Sequence, residues 1–292
     1  MILGPCFSEF KHVIAAHSFE ESSPLPSGLR LWPGESGAHK VFYAPFEHQN
    51  RAPKIALIGI TPGRTQTIRA FQAAKRAMDK GLPDEQCLIA AKVFASFGGG
   101  MRDDLVAMLD VLGVHNLIGE STTRNLWTVQ GYEKAHFCSL LSFPTFKDGN
   151  DYNESPSLNA NDAFRSMLEA TSRSLNALPK DTLILPLGST VLKTLVKLQK
   201  KKLLTRDLLS VDDQPICLPH PSGQNAESIE LVLDWQYDNG DDYAAARRER
   251  YLIEQPWKKR KGGTPQSEEA YKSCRISRWA SVCRLRAYFD CV

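Results

Sequence analysis

No run of the 292-residue sequence approaches the ~20 consecutive apolar residues needed to cross a bilayer, so no membrane partner is predicted. The start, "MILGPCFSEFKHV", lacks a basic segment followed by a long apolar one, and the expected location is cytoplasmic. Seven cysteines stand at 6, 87, 138, 217, 274, 283 and 291 with no C-x-x-C pair. That scatter suits neither a disulfide framework nor a zinc or iron–sulfur site, and the expectation is free thiols, no metal and no cofactor. Also missing are G-x-G-x-x-G and G-x-x-x-x-G-K-[ST], and no ribose-reading acid follows the first glycine loop, where the chain reads "AFQAAKRAM". Dinucleotide and P-loop chemistry are thereby disfavoured. A nucleotide- or sugar-phosphate-binding α/β enzyme without those motifs stays open as an alternative.

Positive charge is scarce in the body of the chain and concentrated at its end. Residues 244–292 hold twelve Lys and Arg against five Asp and Glu, a net of +7, so residues 1–243 carry −4 of the overall +3. Such an asymmetry suits a polyanion, although a solvated basic tail would show it equally well. Two segments are therefore expected: 1–243, an α/β domain with an irregular Pro-, Gly- and Ser-rich arm, and 244–292, a basic, helical extension.

Within the first segment, apolar "KIALIG" predicts a buried strand over Ile55–Gly59. Helices are predicted over 67–81, 84–97 and 102–114, the last presenting Leu105, Met108, Leu109 and Leu112 on one face. A second strand is expected within 135–143, a helix over 160–178, a strand over 182–188 and a helix from Ser189. A final strand near 215–218 runs into "PHPSGQN". Strands alternating with helices predict a three-layer α/β/α fold with a small, mostly parallel central sheet. Ligands in such sheets lie at the carboxyl ends of the strands, where "GITPG" and "HPSGQN" both fall.

Those two loops, in that order, resemble the first and second motifs of the uracil-DNA glycosylase superfamily. Between them, "SFGGGMRDDLVAMLDVLGV" resembles the family's Pro-Phe-x-Gly segment and the helix after it, and "LILPLGSTVLKTL" resembles its strand–Leu-Gly–helix unit. The resemblance covers about residues 50–235. It implies a monofunctional DNA glycosylase, acting as a monomer on DNA, that flips out a base and hydrolyses its N-glycosidic bond to leave an abasic site. By the same resemblance His220 donates a hydrogen bond to the departing base as negative charge builds on it. Phe97 is placed to stack on the base, and Ser139 to read its edge. Gly59, Pro62 and Gly63 shape the first loop around sugar and phosphate. Ser222 and Gly223 would meet a phosphate, and Gln224 and Asn225 stand where the family inserts a wedge into the duplex.

Three departures modify what the resemblance implies. Thr61 stands where several branches carry an Asp or Asn that positions the attacking water. Its hydroxyl can orient water but is a poor general base, which leaves Asp104, with its neighbour Asp103, as the carboxylate candidate. Either acid could instead be a helix-start residue. Ser139 replaces the family's base-reading Asn. About thirty extra residues, Thr67–Ser96, lie before "FGGG" and predict a lid or a wider mouth. The expected substrate is accordingly a bulkier modified pyrimidine, such as the hydroxymethylcytosine-type bases of phage DNA, or uracil. A DNA-binding protein without catalysis is the second alternative. In the extension, Lys258, Lys259, Arg260 and Lys261, with Arg275, Arg278, Arg284 and Arg286, are expected to neutralise phosphates, with Trp257, Trp279 and Tyr288 packing between them. A Cys217–His220 nucleophile pair is disfavoured, because an odd spacing on a strand points the two side chains to opposite faces.

Overall fold

Ile55–Gly59 (β3) is apolar at every position and buried at every position, the mark of a strand covered on both faces. In the computed structural model, which describes residues 6–32, 39–233 and 268–291, this strand is the centre of a parallel sheet. Ala135–Ser139 (β4) flanks it on one side and Leu183–Pro186 (β7) on the other, with Gly59 level with Ser139 and Ile58 level with Pro186. The chain is thus a mixed α/β protein with a parallel sheet, and its side chains divide by the strand's period of two. Ala56 and Ile58 enter one core, with Phe71, Phe164 and Val191 from three helices. Ile55 and Leu57 enter the other, with Leu105, Leu109, Ile229 and Leu285.

The helices of the first core are Arg64–Asp79 (α2), Asp162–Asn176 (α6) and Ser189–Lys200 (α7). Those of the second are Gly100–Val111 (α4), the short Val114–Leu117 (α5), Ala226–Leu233 (α8) and the C-terminal helix, Glu268–Asp290. The extra stretch before "FGGG" forms α2 and Asp84–Ala95 (α3), which pack tightly on one another.

Two expectations need correction. The arm is not irregular throughout: Phe7–Ala16 is a helix (α1) that buries Phe7 and Ile14 and stacks Phe10 on Tyr43 at 4.2 Å between ring centres. Phe7, Phe10 and Ile14 follow a helical spacing, and the Pro- and Ser-rich run begins only at Ser22. Beyond it, Arg30–Trp32 (β1) and His39–Phe42 (β2) join Thr145–Lys147 (β5) and Asn150–Asp151 (β6) in an antiparallel sheet. The second correction concerns the final strand, which shrinks to one bridge between Leu187 and Leu218. Pro215, Pro219 and Pro221 have no N–H to give a ladder. Pro215 instead ends a two-residue hairpin arm (Gln214–Pro215, β9) against Ser210–Val211 (β8).

β4 is an edge strand, and its outward carbonyls are met one at a time by side chains. Asn50 donates to Ala135 O (2.6 Å), Lys92 to Phe137 O (2.5 Å) and Thr171 to Ser139 O (3.1 Å). The C-terminal helix lies against α8 and β8 and buries Val282, Leu285 and Phe289. Arg278 pairs with Glu227, and Arg286 reaches both Val111 O and Asp290. Residues 257–261 lie outside the described residues, as do the side chains of Arg275 and Trp279. Among the described residues, no helix is long and apolar enough to cross a membrane.

Candidate functional site

The ends of three strands and of the segment bridged at Leu218 lie side by side at the carboxyl edge of the parallel sheet, in the order Ser139, Gly59, Gly188, His220. Gly59 explains why the first motif opens on glycine. A Cβ there would lie 3.6 Å from the Phe97 ring and 3.7 Å from Ser139 Oγ, so three residues separated by up to eighty positions meet at one point. Gly188 does the same for the second loop. At φ +91° it takes a conformation that disfavours side chains, and a Cβ would lie 3.2 Å from His220 Cβ.

Phe97 itself has φ +51°, an uncommon state for a bulky residue that costs about 1–3 kcal/mol. The preceding carbonyl is held in place to support it: Ser96 O accepts from Trp127 Nε1 (2.9 Å) and from Arg102 Nη2 (3.1 Å). The ring then stands edge-on to Phe137, which in turn stacks on Trp127. Phe97 is therefore both packed at its back and open at its front, where it lines a cavity of about 230 Å³.

Pro62, Phe97 and Ser139 form the outer wall of that cavity, and it continues inward beside β4 to His136. Its remaining walls come from α3 (Lys92, with Ser96 just beyond), α6 (Met167, Thr171, Ser174) and the segment before β3 (Phe46, Glu47). The inner groups are ionisable and buried. Burial lowers the Lys92 ammonium to about 8, opposed in part by Cys138 and Glu47. Burial also pushes His136 down to about 3, aided by the positive Lys92 and by His48, so its imidazole is neutral at pH 7. The Cys138 thiol is raised to about 12 and stays protonated. Glu47 is raised by burial against the lowering pull of the Tyr43 hydroxyl, which donates to it at 2.8 Å. None of Glu47, Lys92 or His136 was singled out in the sequence. Two left a trace there: a lone lysine inside apolar "CLIAAKVFA", and a histidine in the strand "AHFCS".

Other predicted residues take different places. Thr61 donates to Phe143 O (2.9 Å) and accepts from Thr145 N (3.2 Å), so its hydroxyl ties the first loop to the turn after β4. With its proton given to Phe143 O, this hydroxyl does not also donate to a water. Asp104 sits on α4 and is not part of the cavity wall, while Asp103 pairs with Arg124 at 2.9 Å. The carboxylate that does touch "GITPG" is Asp151, from β6. Its Oδ1 accepts from Arg64 N (2.9 Å), and a Cβ on Gly63 would lie 2.6 Å from its Oδ2. Nothing local in the sequence marks Asp151, which reaches the loop through the antiparallel sheet.

His220 lies outside the cavity wall, on the far side of Gly188, with burial lowering its pKa below the usual histidine value. Ser222 is turned inward by Asn225, whose side chain donates to Ser222 Oγ at 3.0 Å, and Gly223 and Gln224 are exposed. Among the described residues no group of three or more His, Cys, Asp or Glu side chains is arranged to hold a metal ion.

The chain is thus of the class of α/β proteins that gather polar groups at the carboxyl edge of a parallel sheet. Its known relatives include the uncharacterized protein YoxB of Bacillus subtilis (strain 168), 29% identical over 237 residues that cover 76% of this chain and 85% of that protein. No protein-family profile and no solved structure matches the chain.

Proposed function

We propose that the chain is a monofunctional DNA glycosylase with a uracil-DNA glycosylase-like fold, acting as a monomer on a flipped-out pyrimidine. The observation that carries it is the meeting of Gly59, Phe97 and Ser139 at the mouth of a cavity, with His220 two strands away on the same edge. A base entering there stacks on Phe97, which contributes roughly 1–3 kcal/mol irrespective of sequence. Ser139 offers one hydrogen bond to the base edge. As the N-glycosidic bond lengthens, the sugar gains oxocarbenium character and the base gains negative charge. His220, held neutral by burial, donates an N–H to that charge without the cost of reorganising water. Asp151, which lies beside Gly63, is the carboxylate we assign to stabilising the cationic sugar and orienting the incoming water. No cofactor is required.

The lining of α3 side chains makes the cavity deeper than the sheet edge alone would give, which favours a modified pyrimidine over plain uracil. One observation favours a second reading. The committed hydroxyl of Thr61 removes a water-orienting group from the first loop, as in a DNA-binding protein that does not cut. The two are separated by incubating duplex and single-stranded oligonucleotides containing uracil, thymine, hydroxymethylcytosine or hypoxanthine, then cleaving abasic sites with alkali. One base should be released, and His220→Ala should lower the rate by at least a hundredfold. Binding without release of any base, or release unaffected by His220→Ala, would overturn the assignment.

A further inference from the structure

The cavity is longer than a pyrimidine. From Ser139 to His136 it follows β4 for about 10 Å, at ~3.3 Å per residue, whereas a pyrimidine with its exocyclic atoms spans roughly 5 to 6 Å at ordinary bond lengths. A base stacked on Phe97 therefore leaves an inner chamber unfilled, and among the apolar walls of that chamber stand three buried polar side chains. His136 is 2% exposed and its Nδ1 is buried without a hydrogen-bond partner. Glu47 Oε2 is likewise buried and unpartnered. Lys92, 4% exposed, has three N–H hydrogens and gives one to Phe137 O. Buried polar atoms are nearly always satisfied, so several unmet around one cavity point to a ligand that satisfies them.

Resting on the glycosylase assignment, we propose that the inner chamber receives a substituent of the excised pyrimidine, several heavy atoms long and bearing hydroxyl groups, which Lys92, Glu47 and His136 bind by hydrogen bonds. A hydroxyl is the matching group because it accepts from the ammonium of Lys92 while donating to Glu47 Oε2 or to an unprotonated ring nitrogen of His136. An alkyl chain of the same size would fill the space and leave Glu47 Oε2, His136 Nδ1 and the remaining N–H groups of Lys92 unmet. A purine would reach the chamber with rigid ring edges that cannot turn a donor toward two acceptors.

The test uses free bases and the full-length protein, with binding read by calorimetry and by thermal stabilisation. 5-(3-Hydroxypropyl)uracil and 5-butyluracil are equal in size and differ by one hydroxyl. The hydroxylated base should bind at least about tenfold tighter, as expected for burying unmet polar groups against a methyl. Lys92→Met and His136→Phe should each erase most of that difference. The comparison of two ligands on the wild type stands even where a variant fails to fold. Equal or tighter binding of 5-butyluracil, tighter binding of hypoxanthine, or no binding of any base would overturn the proposal. Excision of the same bases from duplex oligonucleotides reports separately on the reaction. A hydroxyl preference in binding with no excision would sink the glycosylase assignment and leave the chamber assignment standing. Excision without that preference would do the converse.

Discussion

Lys92→Met exposes the energetics of the buried cavity through the pH dependence of stability. Burial takes the ammonium from 10.5 to about 8, a gap of roughly 3 kcal/mol at about 1.4 kcal/mol per pH unit. Between about pH 8 and 10.5 the unfolded chain keeps a proton here that the folded protein has released. The unfolded state then binds more protons, so stability rises with pH through this window. Below pH 8 the side chain is charged in both states and the full cost of burial applies. Tyr43, Tyr132 and Cys138 work the other way, since burial raises each of them and the folded state retains protons that the unfolded chain loses. Subtracting the Lys92→Met curve from the wild-type curve removes those shared contributions, and the orphaned Phe137 carbonyl adds only a pH-independent offset. Urea unfolding at pH 7, 8, 9 and 10 should show wild type gaining on Lys92→Met, relative to pH 7, by roughly 1 kcal/mol at pH 9 and roughly 2–3 kcal/mol at pH 10. A difference that stays flat over that range would refute a buried, depressed lysine.

Gly63→Ala should destabilise the first loop, because the new Cβ would press on the Asp151 carboxylate and break its bond to Arg64 N, a cap worth about 1 kcal/mol. Thermal unfolding should show Gly63→Ala and Asp151→Ala together costing less than the two added separately, and strict additivity would remove the steric explanation. Leu285→Ala in the C-terminal helix should cost about 2–5 kcal/mol in urea unfolding, since Leu285 is fully buried; a loss near zero would mean that the helix contributes nothing to the fold. Replacing Lys258, Lys259, Arg260 and Lys261 by alanine should lower the salt dependence of DNA binding, by up to about 4 in the slope of log K against log salt, as each phosphate contact is lost. An unchanged slope would place the phosphate contacts elsewhere.

The sequence made the centre of the molecule legible because a fully covered strand has a plain signature. Ile55–Gly59 is found where its unbroken apolar run placed it, and Ser139 and Phe97 meet at Gly59 as neighbours of the first loop. Helices of strong periodicity, such as Asp162–Asn176, were equally visible. Short strands were not. Asn150–Asp151 carries no apolar alternation and exists only through pairing with Thr145–Lys147, so Asp151 could not be connected to Gly63 in advance. The inner chamber was hidden for a similar reason. Glu47, Lys92 and His136 belong to three segments, and only the packing of α3 against the edge of β4 brings them together.

The side chains that close the edge of β4 also decide how the molecule meets copies of itself. A bare parallel edge offers a row of carbonyls and amides to any extended chain, and it is a template for strand addition and aggregation. Here Asn50, Lys92 from α3 and Thr171 from α6 already hold the outward carbonyls of Ala135, Phe137 and Ser139. Intermolecular growth of the sheet is blocked on that side without a proline, a bulge or a covering strand. The same lysine that lines the cavity therefore also occupies a carbonyl of the exposed strand edge, so one side chain serves both the pocket and the rim of the sheet.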